Sequence, residues 1–249
     1  MAVANLALQL YTLRDLLEKD FAGTLRKVAD IGYQAVELHT YGGLTPVQLR
    51  NLLDDLGLQA VSAHVALTRI ESELGNVLEE AKTIGFQYIV VPWLPPERRQ
   101  TKEDYEKLIA TLARAGDEVA QAGLQLVYHN HDFEFTKFDG EFMLDTLFAK
   151  TDAERVQAEL DLYWIHRAGE DPVAYINKYA GRLDLLHMKD ASAADGSFAE
   201  VGQGVLDWDK IIAAAKDAGV KWYIVEQDVC KTDALACIQT SFAFLQHRV

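Results

Sequence analysis

An α/β fold, a (β/α)8 TIM barrel, is what this sequence predicts, on three observations. Eight apolar runs of strand length alternate with eight segments of helical periodicity. Strict β-then-α alternation calls for parallel strands joined by helical crossovers. Five of the helical segments stop at a glycine where a C′ residue belongs: Gly32, Gly57, Gly85, Gly123 and Gly219. Six of the eight runs carry His, Glu or Asp at the carboxyl end, the end where barrels of this kind place their sites. An open doubly wound sheet is the alternative. It usually shows a glycine-rich first βα turn, and "QLYTLRD" has none.

The elements follow in chain order. NLALQL predicts a first strand near 5–10, and the apolar positions of DLLEKDFAGTLRKVADIG predict a helix over 15–32. AVEL gives a strand near 35–39. Thr45-Pro46, an N-cap followed by an N1 proline, opens a helix over 45–57. LQAVSAHV gives a strand near 58–64, followed by a helix over 69–85. QYIVVP gives a strand near 87–92 and the longest helix follows over 101–123. LQLVYH predicts a strand at 124–129 and GEFMLDTLFAKT a helix over 140–151. RVQAELD gives a strand at 155–161, and Asp171-Pro172 caps a helix within 169–180. RLDLLHM (182–188) and KWYIVE (221–226) are the last strands, followed by helices over 207–219 and 231–247. The strand cores are almost continuously apolar, as expected of strands covered on both faces.

The chain has 249 residues, 49% of them hydrophobic, enough to bury a sizeable core. Five prolines, with no Ser/Gly-rich stretch or charge block, leave no linker, so 1–249 reads as one domain. The first residues lack the basic and cleavage features of an export signal, and no apolar run approaches the ~20 residues needed to span a bilayer. A cytoplasmic protein is the expectation. Cys230 and Cys237 then read as reduced thiols. The net charge of −14 repels a phosphate backbone and argues against nucleic acid as a partner.

The strand ends supply the chemistry. Glu37 ends strand two and His64 strand three. His129 and His131 end strand five, Glu159 and Asp161 strand six, His187 strand seven and Glu226 strand eight. Residues two apart share a face of a strand, so His129 pairs with His131 and Glu159 with Asp161. Taken singly, each has an ordinary structural explanation. Polar endings on six strands at one rim point to a metal or catalytic site. Lys189 follows His187 by two, on the same face, and either meets substrate or pairs with Asp190. Trp93, Trp164 and Tyr11 sit at or just past strand ends, where their rings stack on a sugar or pack in the core. "VGQG" (201–204) reads as a turn, and Asp228 as a residue that orients a neighbour.

"LDLYWIHRAGEDPVAYINKY", "LLHMKD", "VGQGVLDW" and "YIVEQD" occur in this order. Through them the chain resembles the xylose isomerase-like superfamily of TIM barrels, the sugar phosphate isomerase/epimerase group. The resemblance covers nearly the whole chain. It implies a metal site with a Glu from strand five, an Asp from six, a His from seven and a Glu from eight. The last three fall on Asp161, His187 and Glu226. Strand five departs from the pattern: His129-Asn130-His131 stands where many relatives read Glu-Asn-His. His129 is therefore the expected fourth ligand, with His131 or Glu159 able to take that place. A mixed His/carboxylate set suits Mn²⁺, Zn²⁺ or Co²⁺ better than Mg²⁺.

The resemblance further implies a metal-dependent sugar (phosphate) isomerase or epimerase that removes a proton next to a carbonyl. Glu226 is the expected base and His131 an acid/base or substrate residue. Glu37, His64, Lys189, Trp93, Trp164 and Tyr11 are expected substrate contacts. Loss of the two-glutamate symmetry opens an alternative, a dehydratase or lyase acting on a keto-sugar or keto-inositol. A non-catalytic metal or sugar binder and an apurinic-site endonuclease are the remaining classes, the last opposed by the charge. The partner is then a small sugar-like molecule, with no nucleic acid or membrane. Pairing into a homodimer is common among such relatives.

Overall fold

Leu6–Gln9 (β1) lies between Ala35–Leu38 (β2) and Trp222–Val225 (β8), parallel to both, and this pairing of the first strand with the last closes the sheet. The computed structural model describes residues 5–249. Gln59–His64 (β3), Tyr88–Val91 (β4), Gln125–His129 (β5), Val156–Asp161 (β6) and Leu183–Met188 (β7) complete a closed eight-stranded parallel barrel in sequence order. Each run forms a strand where the sequence predicts one, shorter by a residue or two at its ends.

Two cores hold the barrel. The larger lies between the strands and the surrounding helices and takes the outward residues, such as Leu6, Leu8, Val36, Leu126, Leu160 and Leu186. The smaller plugs the barrel axis with Ala7, Ala35, Val61, Tyr88, Val90, Val127, Leu185 and Ile224. Strand alternation then decides what lies above that plug. Two residues beyond Ala7, Ala35, Val127, Leu185 and Ile224 come Gln9, Glu37, His129, His187 and Glu226. An apolar layer thus gives way to a charged one along the same inward face.

A bulge adjusts this pattern on β3. The pairing with β2 runs from Val36↔Ala60 to Glu37↔Ser62 and skips Val61. Val61 packs in the inner plug while the Ser62 hydroxyl still reaches Glu37 Oε2 at 2.6 Å. The bulge lets two successive residues serve the interior.

The helices are more broken than their periodicity predicts. The segment 15–32 divides into Arg14–Lys19 (α1) and Phe21–Ile31 (α2). Asp20 leaves helical geometry at φ −152°, and its carboxylate accepts the Gly23 N–H at 2.9 Å. An N-cap in mid-segment ends one helix and starts another. After Pro46–Leu56 (α3), the 69–85 segment divides at Glu73 into Leu67–Ser72 (α4) and Leu74–Ile84 (α5). Lys102–Gln121 (α6) is continuous, started by a reciprocal Thr101–Asp104 capping box. Residues 141–142 belong to a hairpin with Lys137–Phe138 rather than to a helix. Asp139 and Gly140 both take positive φ there, the requirement of a tight Asp-Gly turn, so Met143–Ala149 (α7) starts late. Leu162–Arg167 (α8) was not foreseen: Asp161 ends β6 and caps this helix at once, accepting Trp164 N at 3.1 Å. Pro172–Lys178 (α9), Trp208–Ala218 (α10) and Ala234–Leu245 (α11) follow.

The loop after β7 is organised by one buried carboxylate. Asp190 accepts the N–H groups of Ala191, Gly202, Gly204 and Leu206 and the Trp208 indole N–H, at 2.6–3.2 Å. Residues 201–204 are therefore folded around Asp190, which explains their glycines. Gly202 needs φ +86°, and a Cβ on Gly204 would lie 2.2 Å from Asp190 Oδ1 and 2.3 Å from the Ala191 carbonyl. Lys189 does not pair with Asp190, whose oxygens are already committed.

Replacing Asp190 with Ala orphans five donors, at about 1–3 kcal/mol for each that stays buried and unpaired, so a loss of at least ~3 kcal/mol is expected. Urea denaturation of the two proteins checks this. A loss below ~1 kcal/mol would show that the loop holds its shape without the carboxylate.

Candidate functional site

The charged layer above the plug is almost entirely buried. Glu37, Glu159, Asp161 and His187 have no exposed surface, His129 and Lys189 retain 1% each, and Glu226 4%. At this depth every polar atom needs a partner. Glu37 sits lowest. Its Oε1 lies 2.7 Å from Gln9 Nε2, 2.8 Å from His187 Nε2 and 2.9 Å from His64 Nε2. Glu159 Oε2 lies 3.0 Å from His129 Nδ1, 3.2 Å from His64 Nε2 and 3.3 Å from His187 Nε2.

Above these carboxylates, Glu226 Oε2 lies 2.9 Å from His187 Nδ1, and Asp161 Oδ2 lies 3.7 Å from His129 Nε2 and 3.9 Å from His187 Nδ1. The Lys189 ammonium contacts Asp161 at 2.8 Å, Glu226 at 2.7 Å and Asp228 at 2.9 Å.

These neighbours set the charge states. Burial works to raise the Glu37 carboxyl, but His64 and His187 outweigh it and hold the acid well below its ordinary value. Burial works against protonating His64, yet Glu37 and Glu159 lift it to about 9. His187 is likewise raised against burial, by Glu159 and Glu37. His129 has the opposite balance: burial, reinforced by His187 and His131, holds it well below the usual imidazole range. Burial and Lys189 push His131 down to about 3. Burial raises Asp161 to about 6 despite Lys189. Glu226 falls well below the usual range because Lys189 and His187 overcome its desolvation.

The arrangement fits a divalent cation. His129, Asp161, His187 and Glu226 each offer a ligand atom, and these atoms lie within 4.8 Å of one another; His64, His129, Glu159 and His187 do the same. Glu159 Oε1 is buried without a hydrogen-bond donor among the described residues, and Asp161 Oδ2 meets only the Lys189 ammonium. A buried donor set that mixes imidazole and carboxylate groups suits a divalent transition-metal ion.

The layer opens into a cavity of about 540 Å³ lined by Tyr11, His39, His64, Ala66, Pro92, Trp93, His129, His131, Lys189, Glu226 and Asp228. Tyr11, Trp93, His64, His131 and Lys189 thus stand where the sequence reading expects substrate contacts. Two expected contacts are set back from the wall. Glu37 is enclosed by its hydrogen-bond donors at the base of the layer. Trp164 lies behind His131 at 5.3 Å, packed against Tyr163 and Phe198. Early entry into α8 turns it into that aromatic cluster. His39 was missed. It follows Glu37 by two and lines the cavity, and its Nε2 has no partner. Gln9 was missed because strand one ends in an amide rather than an ionisable group. Asp228 faces Lys189, as a residue that orients its neighbour should.

Besides Asp190, a second buried acid lies outside this layer. Glu134, fully buried, accepts the Tyr128 hydroxyl at 2.7 Å and the His131 N–H at 2.8 Å, and so fixes the turn that carries His131.

Comparison with known proteins places this geometry. Residues 25–246 match the xylose isomerase-like TIM barrel family. The inosose dehydratase of Lacticaseibacillus casei is 30% identical over 153 residues, a match spanning 53% of this chain and about half (51%) of that protein. That of Geobacillus kaustophilus (strain HTA426) is 27% identical over 244 residues, covering 82% of this chain and 79% of the other. A sugar phosphate isomerase/epimerase from Parabacteroides distasonis superposes with a TM-score of 0.88 at 25% identity, covering 99% of this chain and 94% of its own.

Burial pushes the Glu134 carboxyl up to about 7. In the unfolded chain it titrates near the ordinary value of ~4.3. Between these values the folded protein holds a proton that the unfolded chain has lost. This group's contribution is therefore most favourable at low pH and declines as pH rises toward 7. Glu134→Gln cannot titrate, so between pH 5 and pH 8 its Tm should fall less than that of the parent. Parallel melts at the two pH values decide it; equal falls would clear Glu134 of any part.

Proposed function

We propose, from the premise that the chain belongs to the xylose isomerase-like TIM barrel family, that it is a metal-dependent lyase. It dehydrates a keto-inositol or a similar keto-sugar by removing a proton next to the carbonyl. The observation that carries this reading is the buried set His129, Asp161, His187 and Glu226 at the base of the cavity. The inosose dehydratases among its relatives support it. They favour the lyase, second in the sequence reading, over the isomerase or epimerase placed first there.

The four residues would hold one divalent ion. Bound there, it supplies Lewis-acid polarisation of a substrate carbonyl. The chain's own groups do the rest. Glu226, kept ionised by Lys189 and His187 and open to the cavity, takes the proton from the carbon next to the carbonyl. A C–O bond on the following carbon breaks, a C=C bond forms, and the departing hydroxyl leaves as water with a proton from the cavity wall. His64, set between Glu37 and Glu159, faces that space and is the donor. His131, neutral through burial, suits a contact with a substrate hydroxyl better than the donor's role. Tyr11 and Trp93 shield the ring and stack on its apolar edge.

A second reading keeps the proton removal and returns the proton to carbon, as an epimerase or isomerase would. The superposition on a sugar phosphate isomerase/epimerase favours it. The two part at the leaving group. Incubation of the Mn²⁺-supplemented protein with a keto-inositol in D₂O, followed by NMR, separates them. Loss of water to an unsaturated or diketo product is expected. Deuterium uptake with the hydroxyl count intact would replace the lyase by the isomerase.

Asp161→Ala should release the metal and abolish turnover, with a loss of stability because it also removes the α8 cap and a partner of Lys189. Glu226→Gln keeps an oxygen ligand but removes the base, so it should retain much of the metal and lose about 10²–10⁴-fold in kcat. Metal content and kcat, measured side by side, check both; full activity in Asp161→Ala would remove the proposed centre.

A further inference from the structure

The two candidate ligand groups share His129 and His187 but use opposite nitrogens of each ring. In the group with Asp161 and Glu226, the facing atoms are His129 Nε2 and His187 Nδ1. In the group with His64 and Glu159, they are His129 Nδ1 and His187 Nε2. A neutral imidazole that ligates through one nitrogen carries its proton on the other, and that N–H needs an acceptor.

The lower carboxylates provide those acceptors. Glu159 Oε2 lies 3.0 Å from His129 Nδ1, and Glu37 Oε1 lies 2.8 Å from His187 Nε2. Neither acid lines the cavity. Glu37 is itself held by Gln9 at 2.7 Å and by Ser62 at 2.6 Å, so its carboxylate is fixed from below. The reverse arrangement is served on one side only: Glu226 Oε2 lies 2.9 Å from His187 Nδ1, but the carboxylate facing His129 Nε2, Asp161, stands off at 3.7 Å, beyond hydrogen-bond reach.

We propose that Glu37 and Glu159 are positioning residues rather than substrate contacts or ligands. They orient the two histidines so that the cation is bound by His129 through Nε2 and by His187 through Nδ1. This rests on the reading that a divalent ion sits with Asp161 and Glu226. It adds a prediction that the reading does not contain, namely which nitrogens bind. It also gives a reason for the glutamate at the end of β2, which the reaction itself does not use.

The test uses the full chain labelled with nitrogen-15 in histidine and loaded with spin-active cadmium. One-bond cadmium–nitrogen couplings identify the bound nitrogens. Couplings at His129 Nε2 and His187 Nδ1 are expected. Couplings at His129 Nδ1 and His187 Nε2 would overturn the assignment while leaving a metal centre in place, and no histidine coupling would overturn both. Competition with a chromophoric chelator then measures Zn²⁺ affinity of Glu37→Gln and Glu159→Gln. Each should lose about 10–100-fold, the usual effect of removing a carboxylate behind a ligating histidine. Circular dichroism and Tm serve as the control for folding. Unchanged affinity in a folded Glu37→Gln would remove its positioning role, and so would a Glu159→Gln loss as complete as that of Asp161→Ala, which would make Glu159 a ligand. The cadmium spectrum of the unsubstituted protein stands even where a variant fails to fold.

Discussion

Everything at the top of this barrel follows from the cost of burying Glu37, Glu159, Asp161 and Glu226 within a few ångströms of one another. Isolated carboxylates cannot stay ionised at zero exposure without compensation. The compensation is assembled from two strands on opposite sides of the barrel: His64 from β3, His187 from β7, and Lys189 just beyond it. Removing any one partner leaves a buried charge uncompensated. That interdependence ties the four carboxylates to the same few cationic groups.

The inner plug beneath the layer is the other half of the constraint. Ala7 and Ala35 are small, while Tyr88, Leu185 and Ile224 are large, and together they fill the barrel axis. The charged layer therefore has an apolar floor. The low dielectric of that floor strengthens each ion pair above it and sharpens the penalty for each unpaired atom.

The fold was legible in the sequence because strand alternation and capping glycines are local signals. All eight strands lie where the apolar runs place them, since a parallel strand covered on both faces must be apolar throughout. Helix breaks at Asp20 and Glu73 were not legible, because amphipathic periodicity continues across them; at Asp20 the interruption depends on a capping contact with the Gly23 N–H, and at Glu73 on backbone geometry alone. The strand ends that carry the candidate ligands were legible for the same reason as the strands: period-two spacing put His129, Asp161, His187 and Glu226 on inward faces. What periodicity could not tell was depth. Glu37 and His64 end adjacent strands, yet one is enclosed and the other meets the cavity. The bulge that skips Val61 is visible only in the pairing. The direction of Trp164 was equally hidden, because it depends on Asp161 capping a helix that starts without a loop. The lyase and isomerase readings share proton removal, and the residues that decide the fate of the next bond lie in loops, where sequence pattern says least.

Lys189 gives the layer one more property. Its ammonium touches the same Asp161 and Glu226 oxygens that a dication would use. The barrel thus carries a tethered monovalent counter-ion of its own. Loading of a divalent ion would then be an exchange, displacing an amine that also contacts Asp228, 2.9 Å away. The net affinity is a difference between two electrostatic attractions rather than the sum of four ligand bonds. Such a site would discriminate against monovalent ions, which gain nothing over the lysine, and would bind a divalent ion less tightly than the ligand set alone.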